Sequence, residues 1–161
     1  MVTQVSSSRH VPWEISQESD TLRKAGLKVT LPRVKILGVL AGREREHLTA
    51  EEVYQRLQAA GEDLGLATVY RVLTQFQEAE IVLRHHFIGD RAVFELNSGI
   101  EHDHVVCVDC GRVDEFKDRT VERRLTDVAA VSGYEALGHS LVVYGRCPEC
   151  AQSPRSATPL V

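Results

Sequence analysis

The sequence predicts an α+β protein, with an N-terminal winged helix-turn-helix domain followed by a small α/β domain. Three observations carry this. Before Asn97-Ser98-Gly99 the chain is mostly helical in pattern and free of cysteine. That half closes on "VLRHHFIGDRAVFEL", a hairpin pattern with Gly89-Asp90 at its turn and β-branched and aromatic residues on both sides. Beyond Ser98, short β-branched runs alternate with one amphipathic segment, and all the cysteines lie there. The expected organisation is a flexible polar arm over residues 1–18, a winged-helix domain over 19–97, the second domain over 98–150 and a loose tail over 151–161.

Each element has a local reason. Asp20 or Thr21 can cap a short helix running through Ala25. Thr30 caps a second helix, with Pro32 in its first turn, that runs to about Leu40. In "TAEEVYQRLQAAG", Thr49 caps a third, Glu51 and Glu52 favour its positive end, and Gly61 stops it. In "LATVYRVLTQFQEAEIV", Thr68 is the expected cap, and Val69, Val72, Leu73 and Phe76 form one apolar stripe. In the second half "HVVCVDC" and "RVDEF" read as strands about Gly111. "DRTVERRLTDVAAVSG" reads as a helix with Val121, Leu125, Val128 and Ala129 on one side, and "HSLVVYGRC" as a final strand. So small a domain has little core and commonly gains stability from a metal or from dimerisation.

The 161 residues, 43% hydrophobic and 26% charged, fit a soluble globular protein. A formal charge of −4 does not advertise a nucleic-acid partner in bulk. No apolar run has signal-peptide or membrane-spanning length, so a cytoplasmic protein with reduced thiols and no membrane partner is expected.

The stripe on the fourth helix leaves Tyr70, Arg71, Thr74 and Gln75 toward its outer face, groups able to contact base edges in a major groove. The same pattern fits an ordinary surface helix. What tilts the reading is Arg23, Lys24, Lys28, Arg33 and Lys35, five cations with no acid between Thr21 and Gly42.

Cys107, Cys110, Cys147 and Cys150 form two C-x-x-C pairs, Gly111 and Pro148 supplying the turns. Two such pairs make the tetrahedral sulfur site that Zn²⁺ prefers, closed and therefore structural. It would pin the last strand beside the first. A thioredoxin-like redox motif fits less well, because neither pair is expected to open a helix.

The same segment begins "EHDH". If extended, it puts His102 and His104 on one face and Glu101 and Asp103 on the other, so one strand can serve two metal sites. The histidine face suits Fe²⁺, Mn²⁺ or Zn²⁺, and the carboxylate face is harder. Candidate distant partners are His47, Glu95, Glu115, Glu122 and His139. Asp114, Asp118, His85 and His86 look less well placed.

Three stretches, "KAGLKVTLPRVKIL", "LATVYRVLTQFQEAEIV" and "HDHVVCVDCGRVDEF", resemble ferric uptake regulator (Fur) family segments in order and spacing, within a likeness running from Leu22 to Cys150. The resemblance implies a winged-helix DNA-binding domain joined to an α/β dimerisation domain. It implies a homodimer, or a tetramer of two dimers, acting as a repressor on inverted-repeat operators of iron-uptake genes, with Fe²⁺ as co-repressor and Mn²⁺ or Zn²⁺ as substitutes. It places structural Zn²⁺ on Cys107, Cys110, Cys147 and Cys150, and a regulatory site on His47, Glu95, His102, His104 and Glu115. It places an additional site on Glu101, Asp103, Glu122 and His139, and DNA contacts on Lys28, Tyr70 and Arg71. Glu101 departs from the histidine many members carry. Glu115, where the peroxide-sensing branch usually has aspartate, argues for iron.

Zinc-, manganese- or peroxide-responsive relatives are the near alternatives. A zinc hydrolase is a distant one: it would need an open metal position and a general base, and no H-E-x-x-H occurs. An enzyme is therefore not expected.

Overall fold

The computed structural model describes residues 15–42, 47–87 and 91–152. The first helix, α1 (Ile15–Lys24), begins before the expected caps, so Asp20 and Thr21 are interior and residues 15–18 of the expected arm are helical. Glu18 in its first turn favours the positive helix end, and Leu22 is fully buried, which anchors it. The rest of the arm lies outside the described residues, as do the Gly89-Asp90 turn and the tail from residue 153.

Helix α2 (Leu31–Ala41) starts after an extended Thr30, whose side chain makes no capping bond; Pro32 fits the first turn. A strand not read from the sequence, β1 (Leu48–Thr49), runs directly into α3 (Ala50–Ala59). Thr49 and Glu52 form a reciprocal capping box there, and Gly61 past its end takes φ 79°. Helix α4 (Leu66–Glu78) begins at Gly65 rather than Thr68. The apolar stripe is as read: Val69, Val72, Leu73 and Phe76 are all buried.

Strands β2 (Val82–His86) and β3 (Ala92–Leu96) pair antiparallel with Val82 opposite Leu96, and β1 adds to the far edge of β3. The helices pack over this sheet around Leu22, Ile36, Leu57, Leu73, Phe76 and Phe94. Four helices, α1 to α4, and a three-stranded wing make the helix-turn-helix half.

The second sheet has order β5-β4-β6. Strand β4 (Asp103–Cys107) pairs antiparallel with β5 (Val113–Phe116) and parallel with β6 (Val142–Gly145). The last strand thus lies beside the first, as the cysteine spacing implied. Between them runs α5 (Arg119–Val131), capped by Asp118, which accepts from the N–H groups of Thr120 and Val121. A last short helix, α6 (Pro148–Ala151), opens at Cys147, contrary to the expectation that neither cysteine pair begins a helix. Pro148 explains it, since its fixed φ suits a first turn. The side of α5 read as apolar has no buried residue in the single chain, and Val128 is 64% exposed.

Candidate metal centres and DNA-facing surface

The four cysteines converge because β4 and β6 end together. Cys107 closes β4 and is paired with Gly145 on β6; two residues later Cys147 caps α6 and Cys150 lies one turn along it. All four sulfurs lie within 4.8 Å of one another, with Cys110 Sγ 3.9 Å from Cys147 Sγ. A tetrahedron with Zn–S bonds of about 2.3 Å has sulfur–sulfur edges of about 3.8 Å, so the cluster fits zinc and not a disulfide of about 2.05 Å. Backbone N–H groups aim at the sulfurs: that of Cys147 donates to Cys107 Sγ and that of Cys150 to Cys147 Sγ. The Cys147 N–H, with those of Cys110 and Asp109, pulls the Cys107 thiol down to about 6 against the opposing effect of burial. This favours the thiolate that a metal needs.

A second cluster lies where the two sheets meet. His47 precedes β1 and Glu95 sits on β3, whereas His102 and His104 flank and occupy the start of β4 and Glu115 sits opposite His104 on β5. Ligand atoms of His47, Glu95, His102 and His104 lie within 4.8 Å of one another. His47 Nε2 is 3.0 Å from His104 Nε2 and 3.2 Å from Glu95 Oε2, and His102 Nε2 is 3.1 Å from the same oxygen. Glu115 Oε1 stands 4.0 Å from His47 Nε2 and 3.8 Å from His102 Nε2, at the rim of the set. Donors around one ion at about 2.1 Å are separated by about 3.0–3.4 Å, so these spacings suit a divalent cation. The donor set, imidazole with carboxylate, suits Fe²⁺, Mn²⁺ or Zn²⁺.

The pocket is buried: the side chains of His47, Glu95 and His104 are 2%, 3% and 5% exposed. Burial pushes the Glu95 carboxyl up, but hydrogen bonds from His47 and His85 and the neighbouring imidazoles outweigh it and hold it well below the usual carboxylate range. Burial, with His47 and His85 beside it, lowers His104 to about 4. The carboxylate is therefore charged and the His104 imidazole neutral at neutral pH, as ligands must be.

His85, set aside in the sequence reading, belongs to this pocket. Its Nε2 is 2.7 Å from Glu95 Oε1, and its ring lies 4.8 Å from that of His104 and stacks on Phe87 at 5.1 Å. Only the antiparallel register of β2 and β3 reveals it, since that register puts Leu83 opposite Glu95 and His85 two residues on, on the same face. Phe87 also ties the halves together, its carbonyl accepting a 2.6 Å hydrogen bond from the hydroxyl of Tyr144 on β6.

The additional cluster is only partly gathered. His139 Nε2 lies 3.2 and 3.3 Å from the two oxygens of buried Asp103. Glu101 lies beside Gly138, and Glu122 pairs with Lys117.

On the outer face, Lys28, Tyr70 and Arg71 are all exposed. The Tyr70 hydroxyl donates to Glu51 Oε1 at 2.5 Å, a bond that lowers the Glu51 carboxyl and raises the Tyr70 phenol. Arg33 reaches across to Gln75 and to the Lys28 carbonyl, fixing α2 against α4. The cation run is less uncompensated than the sequence suggested, because Arg23 pairs with Asp20 and Lys35 with Glu62. Both acids lie outside the stretch in sequence and return to it in space.

Comparison with known proteins places these features in one family. Residues 24–144 match the ferric uptake regulator family. The ferric uptake regulation protein of Pseudomonas aeruginosa is 57% identical over 129 residues, 80% of this chain and 96% of that one. The crystal structure of the Vibrio cholerae ferric uptake regulator, described as showing rearranged DNA-binding domains, superposes with a TM-score of 0.74 at 53% identity, over 80% of this chain and 98% of that one. The Francisella tularensis regulator, solved with iron, superposes with a TM-score of 0.75 at 38% identity, over 79% and 96%.

Proposed function

This chain belongs to the ferric uptake regulator family, and from that premise we propose that it is a metal-dependent transcriptional repressor. In this reading it binds inverted-repeat operators of iron-uptake genes as a dimer when loaded with Fe²⁺. The observation that carries the reading is where the second cluster sits: His47 and Glu95 come from one sheet, His102, His104 and Glu115 from the other. A divalent cation bound there would supply charge and directional bonds common to both halves. The residues supply the rest. Glu95 presents Oε2 between His47 and His102 while His85 tethers Oε1. The cysteines hold structural zinc and join β4 to α6, keeping the second sheet closed.

We assign DNA binding to the half ending at Leu96, and dimerisation with metal sensing to the half from residue 98 to Cys150. In the first, Tyr70 and Arg71 face the major groove and Lys28 a neighbouring backbone. In the second, Val128, Val131, Tyr134 and Leu137 are 64–92% exposed on and just after α5. So much apolar surface on a small domain is what a second copy would cover. Setting the angle between the halves sets the spacing of two α4 helices across such a dimer, and major-groove half-sites recur roughly every 34 Å.

The test is anaerobic binding to an A·T-rich inverted-repeat duplex at fixed salt, with Fe²⁺, Mn²⁺ and Zn²⁺ titrated separately. Tight binding with Fe²⁺ or Mn²⁺ that chelator abolishes is expected, and His102→Ala should remove it while leaving dimers intact. A response to Zn²⁺ alone would move the chain to a zinc-responsive role. Metal-independent binding, or none, would overturn the switch.

A further inference from the structure

The cluster of Glu101, Asp103, Glu122 and His139 differs from the other two in how its charge is met. The cysteine set and the His47/Glu95/His102/His104 set each bring their ligand atoms within 4.8 Å of one another; among the described residues no third set does. Of its acids, Glu122 already has a cation from the protein, and Asp103 has an imidazole beside it. Asp103 has His139 at 3.2 Å. Lys117 Nζ lies 3.5 Å from Glu122 Oε1 and donates to the Glu101 carbonyl at 3.2 Å.

The placement of Lys117 follows from the chain. Asp118 caps α5 through the N–H groups of Thr120 and Val121, so the backbone turns sharply into the helix. Lys117, just before the cap, is thereby brought beside Glu122 in the helix's first turn. From there its ammonium bridges the helix that carries Glu122 and the segment that carries Glu101. The pair is half-exposed, with side chains 49% and 32% accessible, so it is a weak device for stability. Its effect is on charge. Even at the dielectric of bulk water, a divalent ion about 6 Å from an ammonium is repelled enough to lose about tenfold in affinity.

We propose that Lys117 is the built-in cation of this cluster: its ammonium takes the place of a divalent ion, and the chain holds metal only at its two gathered sites. The inference rests on the family reading of these four residues as a metal site, and it departs from that reading for this chain.

The experiment is equilibrium dialysis of the full-length, zinc-loaded protein against Mn²⁺, with bound metals counted by elemental analysis. The wild type is expected to take up one Mn²⁺ per protomer beside its cysteine-bound zinc, matching the two gathered sites. Lys117→Ala is expected to bind a second Mn²⁺, or to bind it about tenfold more tightly. The double variant Lys117→Ala/Glu122→Gln should lose it again. A wild type that binds a second Mn²⁺ with an affinity Lys117→Ala leaves unchanged would overturn the proposal. So would a Lys117→Ala protein that gains none, or whose extra ion survives Glu122→Gln. The regulatory-site reading fails separately, if Glu95→Gln leaves the first Mn²⁺ in place.

Discussion

Removing the His85 imidazole separates a group that holds a ligand from a ligand itself. Glu95 Oε1 is tethered by His85 Nε2 at 2.7 Å, while Oε2 faces His47 and His102 at 3.2 and 3.1 Å. In His85→Ala the carboxylate loses one charge-assisted hydrogen bond, worth about 1.5–3 kcal/mol. If that bond serves to orient Oε2, metal affinity falls by about 10- to 100-fold, the range found when outer partners of metal ligands are removed. The assay is competition for Mn²⁺ against a chromophoric chelator at fixed pH, with His104→Ala alongside. His104 points its Nε2 at His47 Nε2 across the pocket, so its loss removes a donor and should cost well beyond that range. Dimer mass and far-ultraviolet circular dichroism should not change in either variant. Should His85→Ala bind within about twofold of wild type, His85 is idle and the tether is incidental. Should it fail as badly as His104→Ala, His85 ligates directly.

Three further outcomes are expected. Cys110→Ser should lose zinc and dissociate the dimer, because the buried apolar residues of the second half are Val106, Cys107 and Cys147, and structural zinc contributes about 10–16 kcal/mol of binding in small domains; elemental analysis and sedimentation check this. In metal-free protein, His104 titrates near 4 when folded and near 6.5 when unfolded, so the unfolded state binds more protons between those values and stability falls as pH drops through that window. From pH 7 to pH 5 the loss should be about 2 kcal/mol, read from urea midpoints, and a flat profile would refute it. Arg71→Ala should weaken operator binding by about 1–3 kcal/mol with relaxed sequence preference, whereas Lys28→Ala should weaken all duplexes alike and reduce the salt slope by about 1, as gel shifts at several salt concentrations would show.

What was legible in the sequence follows the range of the interaction responsible. The stripe of Val69, Val72, Leu73 and Phe76 and the capping box of Thr49 and Glu52 are written within a few residues, and both are found in the structure. The C-x-x-C pairs are equally local, and their chemistry admits few alternatives. Helix starts were harder. At α4 a glycine in extended conformation opens the helix although Thr68 has the better capping side chain, because packing of the apolar stripe sets the first turn. Strand β1 is two residues long and owes its existence to β3 alone, so no local pattern announces it. His85 was missed for the same reason, its role depending on β2–β3 register. Lys117 was missed because a lysine next to a capping aspartate carries no signal until the turn places it beside Glu122.

The distribution of buried surface explains why the bridging pocket can act as a switch. The helix-turn-helix half has its own apolar core, from Leu22 to Phe94, and needs nothing from its partner sheet. The boundary between the halves carries polar groups instead: Glu95, His47 and His104 are buried against one another, with the Phe87 ring beside His104. Glu95 gives up its hydration there, and of its imidazole neighbours His102 and, at 4.0 Å, His104 come from the other half while His47 and His85 come from its own. Drawing the halves apart would separate Glu95 from His102 and His104 and His47 from His104, and would return water to each of them. The Tyr144 hydroxyl on the Phe87 carbonyl adds one further hydrogen bond, worth about 1 kcal/mol net. A switch at such a boundary needs arrangements separated by only a few kcal/mol. A divalent cation held by Glu95 and His47 on one side and His102 and His104 on the other would favour the closed arrangement by the bonds it would lose to one side on opening. On the proposed reading, stability and response lie in different places: stability in the helical core and the cysteine knot, response in the histidines between them.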